Sequence, residues 1–105
     1  MDFSLVYMTA KDRQQAEEIG EILVAEKLAA CVNILDKMRS IYRWQGEIVR
    51  DEETVLVAKT RSELVADIIA SVKQHHSYSV PCVLELPINS GNPEYLDWIA
   101  DETRK

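Results

Sequence analysis

Two long β-rich segments lie in the middle of the chain, separated by a two-residue break. Residues 31–44 and 47–58 contain many β-branched and aromatic side chains, and Gln45-Gly46 lies between them. A glycine between two such runs is typical of a β-hairpin. Both strands are long for a domain of 105 residues, and both carry apolar side chains on each side. We therefore expect their ends and one sheet face to be buried by other copies of the chain.

Two polar segments are expected to interrupt this hairpin. In the first strand, the apolar pattern stops at Asp36-Lys37 and resumes at residue 40. In the second strand, residues 51–53 (Asp-Glu-Glu) predict a bulge or a bend. Three consecutive carboxylates also offer oxygen ligands for a hard cation. Charge runs of this kind are usually solvated, so we interpret residues 51–53 as a surface feature.

Helical periodicity flanks the hairpin on both sides. A short buried strand at residues 3–8 is followed by two competing cap candidates, Thr9 and Asp12, and by apolar residues at helical spacing from 16 to 23. After the hairpin, Thr60-x-x-Glu63 matches a capping box, and apolar residues recur at every fourth position from 64 to 72. Both segments are therefore predicted to be amphipathic helices.

The last part of the chain adds one strand and one helix. Residues 80–88 are apolar, and a proline near each end favours an edge strand. Asn92-Pro93 then predicts a capped final helix. The resulting order is β-α-β-β-α-β plus a C-terminal helix. This order predicts a single α+β domain over residues 1–105 with the ferredoxin-like split βαβ fold, an antiparallel sheet with helices on one face.

Composition excludes several classes of function. The formal net charge is -6, whereas a nucleic-acid-binding protein needs a basic surface. No apolar run reaches the ~20 residues of a membrane helix. The N-terminal residues lack the pattern of a secretory signal, and the two cysteines form no Cys-x-x-Cys motif. We therefore expect a cytoplasmic protein in a reducing compartment, without a nucleic-acid or membrane partner.

Six segments, taken together, resemble the CutA family of divalent-cation tolerance proteins. They occur in the order and spacing of that family across almost the whole chain. The segments are residues 9–12 (TAKD), 28–34 (LAACVNI), 40–48 (SIYRWQGEI), 59–60 (KT), 75–81 (HHSYSVP) and 91–98 (GNPEYLDW).

The resemblance implies a homotrimer that binds a divalent metal, with copper the usual ion. It also implies a metal site at the adjacent histidines, which are His75 and His76 in this sequence. Some members have a cysteine ligand before the Thr-Ala pair, where this chain has Met8. Because a thioether is a soft ligand, Met8 would favour Cu(I). Many members have Glu after Val-Pro, where this chain has Cys82, which is the next candidate ligand.

The candidate ligands also have structural interpretations. Neighbouring helical residues point ~100° apart, so His75 and His76 do not automatically chelate one ion. Both histidines fit equally well as cations at a helix C-terminus. Cys31 lies in an apolar stretch and is expected to be a buried, inert thiol. Packing is also favoured for Cys82, beside Pro81 in an apolar strand.

The sequence therefore predicts a cytosolic, trimeric, copper-binding protein involved in metal tolerance, with no catalytic step. No catalytic triad, phosphate-binding glycine loop or His-Glu-x-x-His motif is found. The main alternative comes from the PII signalling proteins, which share the trimeric architecture of CutA. On that alternative, a cleft between subunits holds a small anionic ligand near Arg39, Arg43 or Lys59. A third possibility is a trimeric scaffold for another protein.

Overall fold

The computed structural model describes residues 1–104 and contains a four-stranded antiparallel sheet with helices. The strand order is β2-β3-β1-β4, so β1 is central and β4 lies at an edge, as its prolines predict. This order and the β-α-β-β-α-β succession confirm the predicted ferredoxin-like fold. The elements are β1 (Phe3–Ala10), α1 (Arg13–Ala25), β2 (Cys31–Trp44), β3 (Glu47–Arg61), a 3₁₀ turn (Ser62–Leu64), α2 (Val65–His75), β4 (Val83–Ile88) and α3 (Pro93–Glu102).

The hydrophobic core lies between one face of the sheet and helices α1 and α2. Alternate residues of β1 point into it, because side chains of a strand alternate between the two faces. Gly20 allows α1 to approach β2, since a Cβ on this residue would lie 3.3 Å from Val32 Cγ1. The buried core residues include Val6, Met8, Ala10, Ala16, Ile19, Leu23, Leu56, Ala58, Val65, Ile68 and Val72.

The opposite face of the sheet, which we call the open face, is covered at one end by α3. Lys59 and Arg61 alternate with the core residue Ala58 and with Thr60, so they belong to the open face. Lys59 Nζ donates a hydrogen bond to Tyr95 Oη, and Arg61 holds both the hydroxyl and the carbonyl oxygen of Thr103. The expectation of an uncovered second face is therefore corrected at this end. At the other end, Tyr78 of the loop between α2 and β4 covers Glu53. Between them, the apolar side chains of Leu35, Leu84 and Leu86 remain exposed in residues 1–104.

The hairpin of β2 and β3 extends beyond the rest of the sheet. Strand β1 pairs with residues 54–61 of β3, whereas residues 38–44 and 47–53 pair only with each other. We call this two-stranded extension the arm. Its base is a β-bulge at Asp36-Lys37, where Lys37 has φ of 60° and Thr54 Oγ1 donates a hydrogen bond to Asp36. The pKa of Asp36 is lowered, mainly by this hydrogen bond from Thr54.

The structure corrects two details of the sequence-based prediction. Residues 51–53 do not interrupt β3, since each pairs with a residue of β2; the irregularity lies wholly in β2. The predicted capping box is also wrong. Thr60 is the penultimate residue of β3, and its hydroxyl donates to the Leu28 carbonyl oxygen. The N-cap residue of α2 is Leu64, which makes no side-chain cap hydrogen bond. Asp12 and Asn92 do cap their helices as predicted, by accepting from Gln15 N and Glu94 N.

Candidate functional site

A groove of about 690 Å³ lies on the open face, where the arm meets the end of β1. Its third wall is the loop between α2 and β4. A volume of this order is typical of sites for small ligands. The residues that line it are Tyr7, Thr9, Met38, Arg39, Ser40, Ile41, Tyr42, Trp44, Asp51, Glu53, Tyr78, Ser79, Val80 and Cys82.

His76 fixes this loop to the end of β1. Its Nε2 lies 2.7 Å from the Thr9 carbonyl oxygen, and its Nδ1 lies 3.0 Å from the Tyr78 backbone nitrogen. A carbonyl oxygen only accepts and a backbone N–H only donates, so Nε2 carries the proton and Nδ1 accepts. Both ring nitrogens are thus occupied, and the imidazole also packs against the Tyr78 ring at 4.5 Å between centroids. To bind a metal, His76 would have to give up one of these hydrogen bonds.

Tyr78, which His76 positions, reaches a carboxylate in the arm. Its hydroxyl donates to Glu53 Oε2 at 3.0 Å, and Glu53 is only 8% exposed. Burial, followed by the hydrogen bond and the charge of Glu53, raises the pKa of Tyr78 well above its ordinary value. The phenol therefore stays protonated and remains a donor to the carboxylate.

The remaining polar groups of the groove described here belong to the arm, to β1 and to Cys82, the residue before β4. Tyr42 Oη lies 3.5 Å from Asp51 Oδ2, and Tyr7 Oη lies 3.5 Å from Met38 Sδ. Desolvation and the nearby carboxylate of Asp51 raise the pKa of Tyr42. Partial burial raises the pKa of Cys82, so its thiol is less ready to ionise than a free cysteine.

His75 is the predicted ligand that has a free coordinating atom. It ends α2 and is exposed, and its Nδ1 donates to the Ser71 carbonyl oxygen at 2.8 Å. In the neutral ring this hydrogen bond leaves the lone pair on Nε2. Metal-binding histidines usually have this arrangement, in which the second nitrogen donates to a carbonyl or carboxylate oxygen. The sequence alone could not distinguish His75 from His76 in this respect.

Met8, the third predicted ligand, lies in the hydrophobic core. It is 1% exposed and belongs to the face of β1 that packs under the helices. Its thioether could reach an ion only after a rearrangement of the core. Within residues 1–104, no group of three or more His, Cys, Asp or Glu side chains is arranged to hold a metal ion. The metal-binding role of Met8 and of the histidines stays a prediction.

The other predicted functional residues are dispersed. Arg43 pairs with Ile48 near the tip of the arm, whereas Lys59 lies eleven residues further along β3, a distance of roughly 35 Å in an extended strand. Arg39, Arg43 and Lys59 therefore do not form one anion site within a chain. Cys31 is only half-buried, contrary to the expectation of full burial, because it lies on the open face beyond the cover of α1 and α2.

Sequence reasoning missed the importance of Glu53. Residues 51–53 were interpreted as solvated, yet Glu53 is buried while Asp51 and Glu52 are exposed. The signal that could have identified Glu53 is its position two residues before Val55, on the same strand face as the apolar residues of β3.

The fold and the groove define a ferredoxin-like α+β domain whose arm and α2–β4 loop enclose a polar and aromatic cleft. The chain belongs to the family described as CutA1 divalent ion tolerance protein, whose model matches residues 4–102. This membership confirms the resemblance found in the sequence.

Two relatives show how far the similarity extends. The divalent-cation tolerance protein CutA of Thermus thermophilus is 46% identical over 99 residues, which cover 94% of this chain and 96% of the relative. The chloroplastic protein CutA of Arabidopsis thaliana is 40% identical over 100 residues, or 95% of this chain. This chain spans 55% of that plant protein's length.

Solved structures match the complete fold. CutA1 from Oryza sativa has a TM-score of 0.97 and 38% identity, over all of this chain and 96% of the other. The protein from Archaeoglobus fulgidus, described as a periplasmic divalent cation tolerance protein, has a TM-score of 0.95 and 40% identity, over 97% and 99%. Among residues 1–104, no helix is long and apolar enough to cross a membrane.

Proposed function

We propose that this protein binds a divalent metal ion, copper, in the cytosol as a homotrimer and takes part in metal tolerance without a catalytic step. Membership of the divalent ion tolerance family supports a role with metal ions. The observation that carries the proposal is the exposed His75, whose Nδ1 is held by Ser71 and whose Nε2 is free to coordinate. Imidazole nitrogen suits copper in either oxidation state.

The two histidines have different roles in this proposal. His75 supplies the primary ligand. His76 holds the loop in place through Thr9, and it becomes a ligand only if Nδ1 releases the Tyr78 N–H. Met8 is buried in the core, so its thioether coordinates copper, and favours Cu(I), only after the core opens.

Exposed apolar surface supports the homotrimer. On the open face, Leu84 and Leu86 of β4 are 58% and 47% exposed, and Leu35 of β2 is 62% exposed. Ile41 and Ile48, on the other side of the arm, are also exposed. Several large apolar side chains exposed in this way mark protein–protein contacts. Identical contacts repeated around a closed ring would cover the face in every copy.

The cytosolic location rests on the state of the cysteines. Cys31 and Cys82 are both free thiols, which suits a reducing compartment.

Competition against chromophoric chelators for Cu⁺ and Cu²⁺ tests the metal site. We expect His75→Ala to weaken copper binding at least tenfold, because a ligand is lost. His76→Ala should weaken it less and should also lower the melting temperature, because the loop loses its attachment to β1. Met8→Leu should weaken Cu⁺ binding more than Cu²⁺ binding if the thioether coordinates.

The matched control is Gln74→Ala, an exposed change on the same helix turn. It should leave copper binding unchanged. If His75→Ala binds both ions as wild type does, the metal site lies elsewhere, and Cys82 is the next candidate.

A further inference from the structure

The loop after α2 is tied to three different elements of the fold by three consecutive residues. His76 Nε2 donates to a backbone carbonyl oxygen of β1 at 2.7 Å, and Ser77 Oγ accepts from Gln15 Nε2 of α1 at 2.8 Å. Tyr78 Oη donates to Glu53 Oε2 of the arm at 3.0 Å. We call these three consecutive residues the strap. It leads from the end of α2, where the proposed copper ligand lies, to the arm.

Two of the side chains that hold the strap are buried. Gln15 is 7% exposed and Glu53 is 8% exposed. The Gln15 amide is also fixed from its other side, because its Oε1 accepts from Lys11 N at 3.0 Å. A hydrogen bond to a side chain that is already ordered costs little further conformational entropy. The strap therefore has a defined closed position, and a change that opens it gives up contacts with more than one element.

One lone pair of His76 is needed both to close the strap and to bind a metal. Because Nε2 carries the proton, Nδ1 holds the free lone pair of the neutral ring, and it accepts the Tyr78 N–H at 3.0 Å. A nitrogen lone pair cannot accept an N–H and coordinate an ion at once. Coordination through Nε2 would instead break the bond to Thr9. With either nitrogen, His76 becomes a copper ligand only when the strap opens.

Tyr78 connects the histidine to the arm. Its ring packs against the His76 imidazole, with 4.5 Å between centroids, and its hydroxyl donates to the buried carboxylate of Glu53. Opening of the strap therefore takes a hydrogen-bond donor away from a buried carboxylate, which is costly. Glu53 lies at the end of the open face, where the copies of the chain are proposed to meet. The state of His76 thus affects the surface that would form the contacts between subunits.

We propose that the strap links copper binding to the contacts between subunits, because His76 cannot hold the strap against the arm and coordinate copper at the same time. This inference rests on the proposed copper site and homotrimer. Linkage between two equilibria is reciprocal, so copper should weaken the contacts between subunits by the same factor by which the trimer weakens copper binding. Copper bound by His75 alone would leave the strap closed and would produce no linkage.

Competition against a chromophoric Cu⁺ chelator tests the linkage in variants that loosen the strap without changing either histidine. Tyr78→Phe removes the bond to Glu53 but keeps the ring, and Ser77→Ala removes the bond to Gln15. Each variant should bind Cu⁺ several-fold more tightly than wild type, because opening the strap costs less. Ser79→Ala, an exposed change just after the strap, is the matched control and should keep the wild-type affinity.

Two further measurements follow the strap and the assembly directly. Hydrogen exchange read by mass spectrometry should show several-fold faster exchange of the Tyr78 amide with Cu⁺, because this N–H loses its acceptor. Light scattering during dilution should show that the wild-type trimer dissociates at a higher protein concentration with Cu⁺ than without it. His76→Ala should lose this effect of Cu⁺ on the assembly.

Equal Cu⁺ affinity of wild type, Tyr78→Phe and Ser77→Ala would overturn the inference. Cu⁺ binding that changes neither the exchange of the Tyr78 amide nor the assembly would overturn it as well. In both cases His75 binds copper with the strap closed, and the copper proposal stands. A wild-type protein that takes up no Cu⁺, or that forms no trimer, contradicts the proposed function itself and the inference with it.

Discussion

At the scale of single residues, the chemistry of this protein depends on which hydrogen bonds the side chains make. His75 and His76 are equivalent in the sequence, yet one keeps a free nitrogen and the other uses both. Sequence reasoning identified the pair but not this difference, because it depends on Thr9, which is 67 residues away from His76. The contact between Tyr78 and Glu53 was unpredictable for the same reason.

Replacement of Tyr78 by Phe should reveal the hydroxyl's link to Glu53 in the pH dependence of stability. The pKa of Tyr78 is raised in the folded state, so the folded protein holds this proton more tightly than the unfolded chain does. Its contribution is complete below the ordinary tyrosine pKa of about 10 and is lost as the pH rises above it. At pH 8, Tyr78→Phe should cost about 1–3 kcal/mol, since Glu53 loses its donor.

Urea denaturation at pH 8 and pH 11 measures this effect. The stability gap between wild type and Tyr78→Phe should narrow at pH 11. Ser79→Ala, at an exposed residue of the same loop, serves as the control for general alkaline effects. A gap that stays constant between the two pH values would contradict the assigned hydrogen bond.

At the scale of elements, the turn of the arm has the conformation that two-residue hairpins require. Gln45 and Gly46 have φ values of 49° and 83°, which is the pattern of a type I′ turn. Gly46 suits its position because it has no Cβ penalty in the left-handed region, whereas Gln45 is a less favourable choice than Asn.

Substitutions in this turn should change stability in opposite directions. A Cβ on Gly46 would meet no atom within 4 Å, so the cost of Gly46→Ala is conformational, about 1–2 kcal/mol. Gln45→Asn should stabilise the protein modestly. Thermal denaturation measures both, with Gly91→Ala as the control, because Gly91 lacks a positive φ and a Cβ there makes ordinary contacts with Leu96. Equal effects at Gly46 and Gly91 would contradict the turn assignment.

Most elements could be predicted from the sequence, because periodicity and turn residues are local signals. The errors in the sequence-based prediction occur where a side chain contacts a residue distant in the sequence instead of making the expected local contact. Thr60 has the sequence of a helix cap, but its hydroxyl reaches Leu28. Glu53 lies in an acidic run, but the loop after α2 buries it.

At the scale of the whole molecule, the chain is elongated, with extents of 44 × 25 × 22 Å. The arm accounts for part of this length, because it pairs with no other strand among residues 1–104. The exposed apolar part of the open face was predictable, because the sequence places apolar residues on both sides of the long strands. The groove was not, since its walls combine residues from β1, the arm and the loop after α2. An elongated chain with an exposed apolar face supports the proposal that function requires an assembly.

Native mass spectrometry with and without Cu²⁺ tests the central proposal of a copper-binding trimer most directly, because it reports oligomeric state and metal count together. We expect the mass of three 12.0 kDa chains, and added copper that is lost in His75→Ala while the trimer persists. A monomer or dimer, or a trimer that takes up copper equally well without His75, would contradict the account.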